Sequence, residues 1–293
     1  MCLNRLTGSR LFTRRLPGGG VLSLVVVSAL LTAFEAAAGT WRFAAPQHRL
    51  FRPLLADPAE TRFAVVTNLD DRLNGDIGGS WEAADYAWDD GKGLRFRTGI
   101  HAGVFSKLRR SGTTFPLETA DYLVGMHADL GNGRLTGRFE FAHVSAHLAD
   151  GYDGSEQATQ AMTYSREYFT LYGSYEREAR RGGMIKSARA YGSLRWSNHA
   201  IPDVRRWRVQ AGAELISSPI TGRATRAYLA CDVRVFRDGD LSVNRTAHAG
   251  LMFHSGESRG LRFALVYHGG RSEHGQFHRQ QDDYAGIGLF FDL

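Results

Sequence analysis

The sequence predicts an all-β protein, a transmembrane antiparallel β-barrel of about 12 strands. Three observations lead there. Segment after segment of roughly ten residues alternates apolar with polar, the pattern of a strand with unlike environments on its two faces. The polar faces are rich in Arg, Glu, His and Tyr, groups that suit a barrel interior. Past residue 38 no apolar run approaches the ~20 residues that a spanning helix needs. A soluble sandwich would show the same alternation. The membrane reading is favoured by an export signal, by Trp and Tyr recurring near strand ends as an interfacial girdle requires, and by a final strand apolar at every second position up to Leu293.

The elements follow in order. Arg5, Arg10, Arg14 and Arg15 precede an apolar run, Val21 to Phe34, and Ala36-Ala37-Ala38 fits a cleavage site, so residues 1–38 read as a secretory signal peptide. Its removal takes away four Arg and Glu35 and lowers the formal charge from +6 to +3, too little to invoke nucleic acid. It also removes Cys2 and leaves Cys231 alone, so no intrachain disulfide forms and a closed sheet must supply the stability. Residues 39–60 form a lead-in, read as an ordered or plug-like periplasmic segment, because Pro53 and Pro58 exclude a central strand.

The barrel is expected over residues 61–293. Strands are read at Phe63 to Leu69, at 77–85 around Trp81, and at 94–104 with Arg95, Arg97 and His101 on the polar face. Residues 121–130 set Tyr122, Val124 and Met126 against Asp121, His127 and Asp129, and Gly131-Asn132-Gly133 turns the chain into 135–147. Further strands fall at 165–175, 188–197, 206–217, 224–235, 246–254, 260–268 and the C-terminus. Long polar loops at 106–120, 148–163, 198–205 and 269–282 fall at one end and short turns at 131–133, 218–222 and 255–259 at the other, which orients the long loops outward. Arg95, Arg97, Arg138, Arg189, Arg195, Arg206, Arg208 and Arg262, facing Asp121, Asp129, Glu140 and Glu214, suggest a salt-bridged, filled lumen. His101, His127, His248, His254 and His268 on inward faces read as lumen hydrogen-bonding groups, with no metal ligand spacing and no cofactor motif.

One strand departs from the pattern. On the apolar face of 135–147, Phe139 and Phe141 give way to His143, Ser145 and His147, so groups capable of proton chemistry sit on the lipid side. Two residues apart on a strand, His143 and Ser145 share a face with Cβ atoms ~7 Å apart. A serine needs a base to become a nucleophile, and the base needs an orienting group. On the next strand Phe169 and Leu171 extend backwards to Glu167 and Ser165 on the same face, and a hairpin pairing Ser145 with Ser165 would set His143 opposite Glu167. His143, Ser145 and Glu167 are therefore the candidate catalytic residues, with His147 and Asp150 as supporting candidates. The other readings of these residues are a non-catalytic contact with lipid head groups at the barrel rim, or a lumen position brought about by a β-bulge.

The lead-in and this strand resemble domain-of-unknown-function family 1207, outer-membrane proteins of Gram-negative bacteria. The matching residues are Phe51, Pro53, Leu54, Leu55, Ala56, Asp57 and Pro58, then His143 to His147 with Asp150, then Ser165-Arg166-Glu167-Tyr168. Where that family has an acidic residue after the aspartate, Gly151 stands here. The resemblance implies the bacterial outer membrane and implies no activity. A lipid-facing His-x-Ser with a polar residue on the following strand is similar to the sites of outer-membrane phospholipase A and lipid A 3-O-deacylase. The expected partners are outer-membrane lipid, lipopolysaccharide and the barrel-assembly machinery, the last through the C-terminal strand. The competing expectations are a non-enzymatic barrel displaying its loops and a small channel.

Overall fold

The computed structural model describes residues 39–43, 49–69, 71–89, 92–152, 162–179, 182–220, 225–254 and 260–292. The expected signal peptide, Leu293 and residues 153–161 lie outside the described residues. A short strand β1 (Gly39–Arg42) is followed by β2 (Phe63–Asn68), β3 (Arg72–Trp88), β4 (Arg95–Arg109), β5 (Leu117–Gly131), β6 (Leu135–Leu148), β7 (Tyr164–Glu178), β8 (Ile185–Ile201), β9 (Trp207–Ser217), β10 (Thr225–Asp238), β11 (Asp240–His254), β12 (Gly260–Gly269) and β13 (Tyr284–Asp292). Each strand from β2 onward pairs antiparallel with the next, and β13 pairs back onto β2. The result is a closed, twelve-stranded up-and-down barrel, which leaves no unpaired sheet edge for lipid to meet. Among the described residues no helix is long and apolar enough to cross a membrane.

The period-two pattern sorts the side chains as expected. Val65, Ile100, Val124, Met126, Leu171, Leu229 and Leu265 are exposed on the outer wall. Arg97, His127, Asp129, Arg138, Glu140, Arg189, Glu214, Asp232, Arg234, Arg262 and His268 are buried inside. Two glycines make room for the interior histidines. His101 lies across from Gly125 and His127 across from Gly99 on the β4–β5 ladder, and a Cβ on Gly125 would meet the His101 ring at 2.5 Å.

The strands run longer than alternation suggests. The segment read as a loop at 106–120 is mostly strand, with only residues 110–116 between β4 and β5, and the segment read as a loop at 198–205 belongs to β8 up to Ile201. Near this end both faces turn polar, as at Ser106, Lys107 and Arg109, so alternation fades while the backbone ladder continues. The end bearing residues 149–163 and 270–283 is called the loop end here. The β10–β11 connection at the same end is the single residue Gly239, at φ 77°.

The lumen is filled from both directions. Residues 49–62 run inside the barrel as a plug. Phe51 and Leu54 pack with Tyr172 and Tyr191, while Leu55 and Ala56 join the interior faces of β2 and β9 to β13, including Val66, Ile216, Tyr228, Val266 and Phe290. From the loop end, residues 270–283 fold inward around a 3-10 turn at Gly275–Phe277, whose residues are buried. Gly275 donates its N–H to Asp121 Oδ2 at 2.6 Å, and Gln276 Nε2 donates to the Ala146 and Met162 carbonyls. Lys107 Nζ lies 3.0 Å from Asp282 Oδ2 and over the Phe277 ring.

Candidate functional site

On the outer wall the β6–β7 register pairs Ser145 with Ser165 and His143 with Glu167. His143 and Glu167 side chains are 40% and 37% exposed, with Nδ1 3.6 Å from Oε1, so both point away from the lumen and face each other as an ion pair when the imidazole is protonated. At that distance the contact is longer than a formed N–H···O bond. Ser145 is half-buried one pleat along β6. Among the described residues no hydrogen bond joins Ser145 to His143, and none joins His147 or Asp150 to the pair. His147 is exposed, with its ring 5.8 Å from that of Tyr122, and Asp150 is exposed in the turn after β6.

Two neighbours of the pair were not foreseen. A register shift between Glu167 and Tyr168 on the β7–β8 ladder leaves Asn198 as the extra residue, and its Nδ2 donates to Glu167 Oε2 at 3.5 Å. A bulge of this kind re-aims a side chain, and nothing in the local sequence announces it. One pair deeper, Phe141 faces Phe169. Phe169 also stacks with Phe139 at 5.8 Å and with Trp196 at 6.1 Å. This outward aromatic shelf marks the apolar boundary beneath the polar trio, the position aromatic girdles take at a membrane interface. Its residues were visible in sequence as apolar positions; their convergence is a matter of register.

The interior holds the larger polar network. Arg138 binds Asp129 through two hydrogen bonds, at 2.7 and 2.9 Å, and its guanidinium lies over Phe51 of the plug. Arg189 pairs with Glu214 and donates to the Arg52 and Pro53 carbonyls. Arg234 pairs with Asp57, Asp232 and Glu273. Arg95 and Arg97 share Asp85, and Arg262 pairs with Asp292. The expected salt-bridged lumen is therefore present in part: of the eight arginines expected in it, Arg195, Arg206 and Arg208 have no carboxylate partner among the described residues, and Arg206 is exposed, with the Asn198 carbonyl as its partner.

His127 Nε2 lies 3.1 Å from Glu82 Oε2, and His101 Nε2 3.7 Å from Glu140 Oε2. Glu82, His127 and Asp129 bring potential ligand atoms within 4.8 Å of one another, but both Asp129 oxygens are already engaged by Arg138 and one also accepts the Phe51 N–H. Asp129 thus belongs to the network that anchors the plug, and Glu82 and His127 pair with each other beside it. His268 binds Thr246 and the Arg271 carbonyl, while the His254 side chain lies outside the described residues.

No curated protein matches the chain. Among solved structures it is similar to the β domain of the Bordetella autotransporter BrkA, at 14% identity and a TM-score of 0.46 over 78% of this chain and 96% of that one. It is also similar to the translocator domain of autotransporter NalP from Neisseria meningitidis, at 12% identity and a TM-score of 0.37 over 94% and 96%. OmpT of Vibrio cholerae matches at 9% identity and a TM-score of 0.30 over 82% and 100%. A model of one protein family matches residues 32–293, nearly the whole chain, and the chain therefore belongs to the DUF1207 family, proteins of unknown function.

Proposed function

We propose that the protein resides in the bacterial outer membrane and hydrolyses an acyl ester of outer-leaflet lipid at His143, Ser145 and Glu167. One observation carries the reading: the ladder sets His143 against Glu167 on the lipid-facing wall, with Ser145 one pleat away and an aromatic shelf beneath. Glu167 holds the Nδ1 side of the imidazole, leaving Nε2 to act as base. His143 takes the proton from Ser145 Oγ as that oxygen attacks the ester carbonyl carbon. Collapse of the tetrahedral adduct expels the alkoxide, which recovers the proton from His143. Water then cleaves the acyl-serine by the same route in reverse, releasing the fatty acid and restoring the hydroxyl. A filled lumen supports a role for the outer wall.

The test is fatty-acid release from phospholipid and lipid A by the detergent-solubilised protein. Ser145→Ala and His143→Ala should each abolish release while leaving the barrel folded, and their effects should not add, because residues acting as one unit fail together. Glu167→Ala should cost less. Wild type that releases nothing from either lipid, or Ser145→Ala that releases as much as wild type, would reduce the trio to a head-group contact at the rim.

A further inference from the structure

Between the plug and the inward-folded loop lies a cavity of about 160 Å³, whose lining reaches the exposed Arg205 and Arg206 in the β8–β9 connection. Its wall on β8 and β9 carries two of the unmatched arginines. Arg195 and Arg208 are directly paired across the ladder, an arrangement of like charges that destabilises a sheet when nothing neutralises it. Arg195 donates Nε to Thr170 Oγ1 at 3.2 Å and stacks 3.8 Å above the Tyr168 ring. Arg208 stacks on Phe236 at 4.7 Å, with no hydrogen bond among the described residues. Stacking fixes the plane of a guanidinium while leaving its edge N–H groups free, the geometry that grips an oxyanion.

Most of the nearby carboxylates are committed elsewhere, and Glu140, which lines a small cavity on the plug side together with Arg195, makes no ion pair with it and lies 3.7 Å from His101. Glu273 binds Arg234 and Asn244, Asp282 binds Lys107, Asp238 binds His278, and Asp121 accepts the Gly275 N–H. Asp76 is on β3, across the barrel from the arginine pair. Two residues before Arg208, Arg206 extends the same line toward the exposed rim, and Arg166 lines the cavity with only the Ser165 and Ile201 carbonyls as hydrogen-bond partners of its side chain among the described residues.

We propose that this cavity is a binding site for a small tetrahedral oxyanion of the phosphate type, held between Arg195 and Arg208 and admitted from the loop end past Arg206. The size of the cavity favours a free anion over the phosphate of an intact glycolipid. Such an anion supplies the counter-charge that the ladder lacks, and this makes the site's signature unusual: removing Arg208 relieves repulsion in the empty protein, and removing either arginine abolishes the gain from ligand.

Thermal unfolding of the detergent-folded full chain would be followed with inorganic phosphate, with lipid A in the detergent micelle, and with chloride at matched ionic strength. Wild-type Tm should rise with the logarithm of phosphate concentration above the dissociation constant, and chloride should give no rise. Arg208→Gln should unfold at or above the wild-type Tm without phosphate and below it with phosphate, and Arg195→Gln should lose the phosphate-dependent rise. A rise with lipid A alone would assign the site to a lipid head group and overturn the free-anion proposal. No phosphate-dependent rise in wild type, or an undiminished rise in the Arg195→Gln/Arg208→Gln double variant, would overturn the site itself. Neither residue touches the outer-wall trio, so failure here leaves the hydrolase test unaffected, and the reverse holds as well.

Discussion

Asp57 shows how much one side chain can hold. It is buried in the plug, with Gln210 Nε2 2.8 Å from Oδ2, its partner Arg234 at Oδ1, and the Ala59 N–H 2.7 Å from the same oxygen. Burial raises its carboxyl, but Arg234, Gln210 and the Ala59 amide outweigh that and hold it below the usual carboxylate range. Asp57→Asn keeps the shape and removes the charge, stranding Arg234 with less of its counter-charge. The expected loss is about 1–3 kcal/mol, the range for a buried group that loses one partner, because Arg234 keeps Asp232 and Glu273; it would be read as earlier unfolding in urea. Because the depressed group contributes stability above its unfolded value and loses it as pH falls, the gap between wild type and Asp57→Asn should close only in strongly acidic buffer. At this scale the sequence was half legible. Alternation placed His143, Ser145 and Glu167 on one face, and a guess at hairpin register set His143 opposite Glu167. Asn198 was invisible, because a bulge shifts register without changing composition. The lack of a carboxylate for Arg195 and Arg208 was equally hidden, since opposite charge on inward faces says nothing about which acid reaches which base.

Among elements, the 270–283 loop is the one most sensitive to conditions. His274 is buried within it and its imidazole is pushed down to about 4, first by burial and then by the nearby Lys107, with Asp282 and Glu273 opposing. A released loop would titrate near the ordinary value of 6.5. Between those two values the released form binds a proton that the docked form refuses, so docking weakens as pH falls through 6.5 and the loss is complete near 4. The loss is roughly 3 kcal/mol for the single group. Amide exchange protection over 272–278 should therefore be full at neutral pH and decline across that window. His274→Gln should flatten the decline, and an unchanged pH profile in that variant would disprove it. This loop was legible as a polar connection between strands, but its inward fold was not. Its anchors, Asp121 and Lys107, are separated from it by more than 150 residues, and no local pattern encodes such a contact. Strand identities read well because alternation is strong at membrane depth. Strand ends read poorly because, beyond that depth, both faces of a strand meet polar surroundings.

For the molecule as a whole, a lumen plugged at one end and capped at the other predicts electrical silence. Purified protein in planar bilayers should show no sustained conductance. A variant lacking residues 49–62, with 270–283 shortened to a Gly-rich turn, should conduct if it remains closed. Steady current through wild type would mean that plug and loop leave the lumen together. Barrel architecture was the most legible property of the chain, since it rests on many weak signals that agree. Lumen occupancy was legible only in outline, from Pro53 and Pro58 excluding a strand and from the surplus of inward charge.

The plug precedes every barrel strand in the chain, yet its partners are spread around the circumference. Phe51 meets Asp129 of β5, Leu55 meets Glu214 of β9, Arg52 and Pro53 meet Arg189 of β8, and Asp57 meets Arg234 of β10. It is thus placed to act as a mandrel, a form on which a sheet is wound. Each arriving hairpin finds a waiting contact, and the last seam, β13 onto β2, closes beside residues that immediately follow the winding form. Closure of so long a loop carries an entropic cost, which prior docking of the intervening strands divides into small steps. Strands 63–293 refolded alone should therefore close more slowly than the chain with its mandrel, although no hydrogen bond of the β2–β13 ladder is missing. A synthetic peptide of residues 49–62, added in trans, should restore part of the rate.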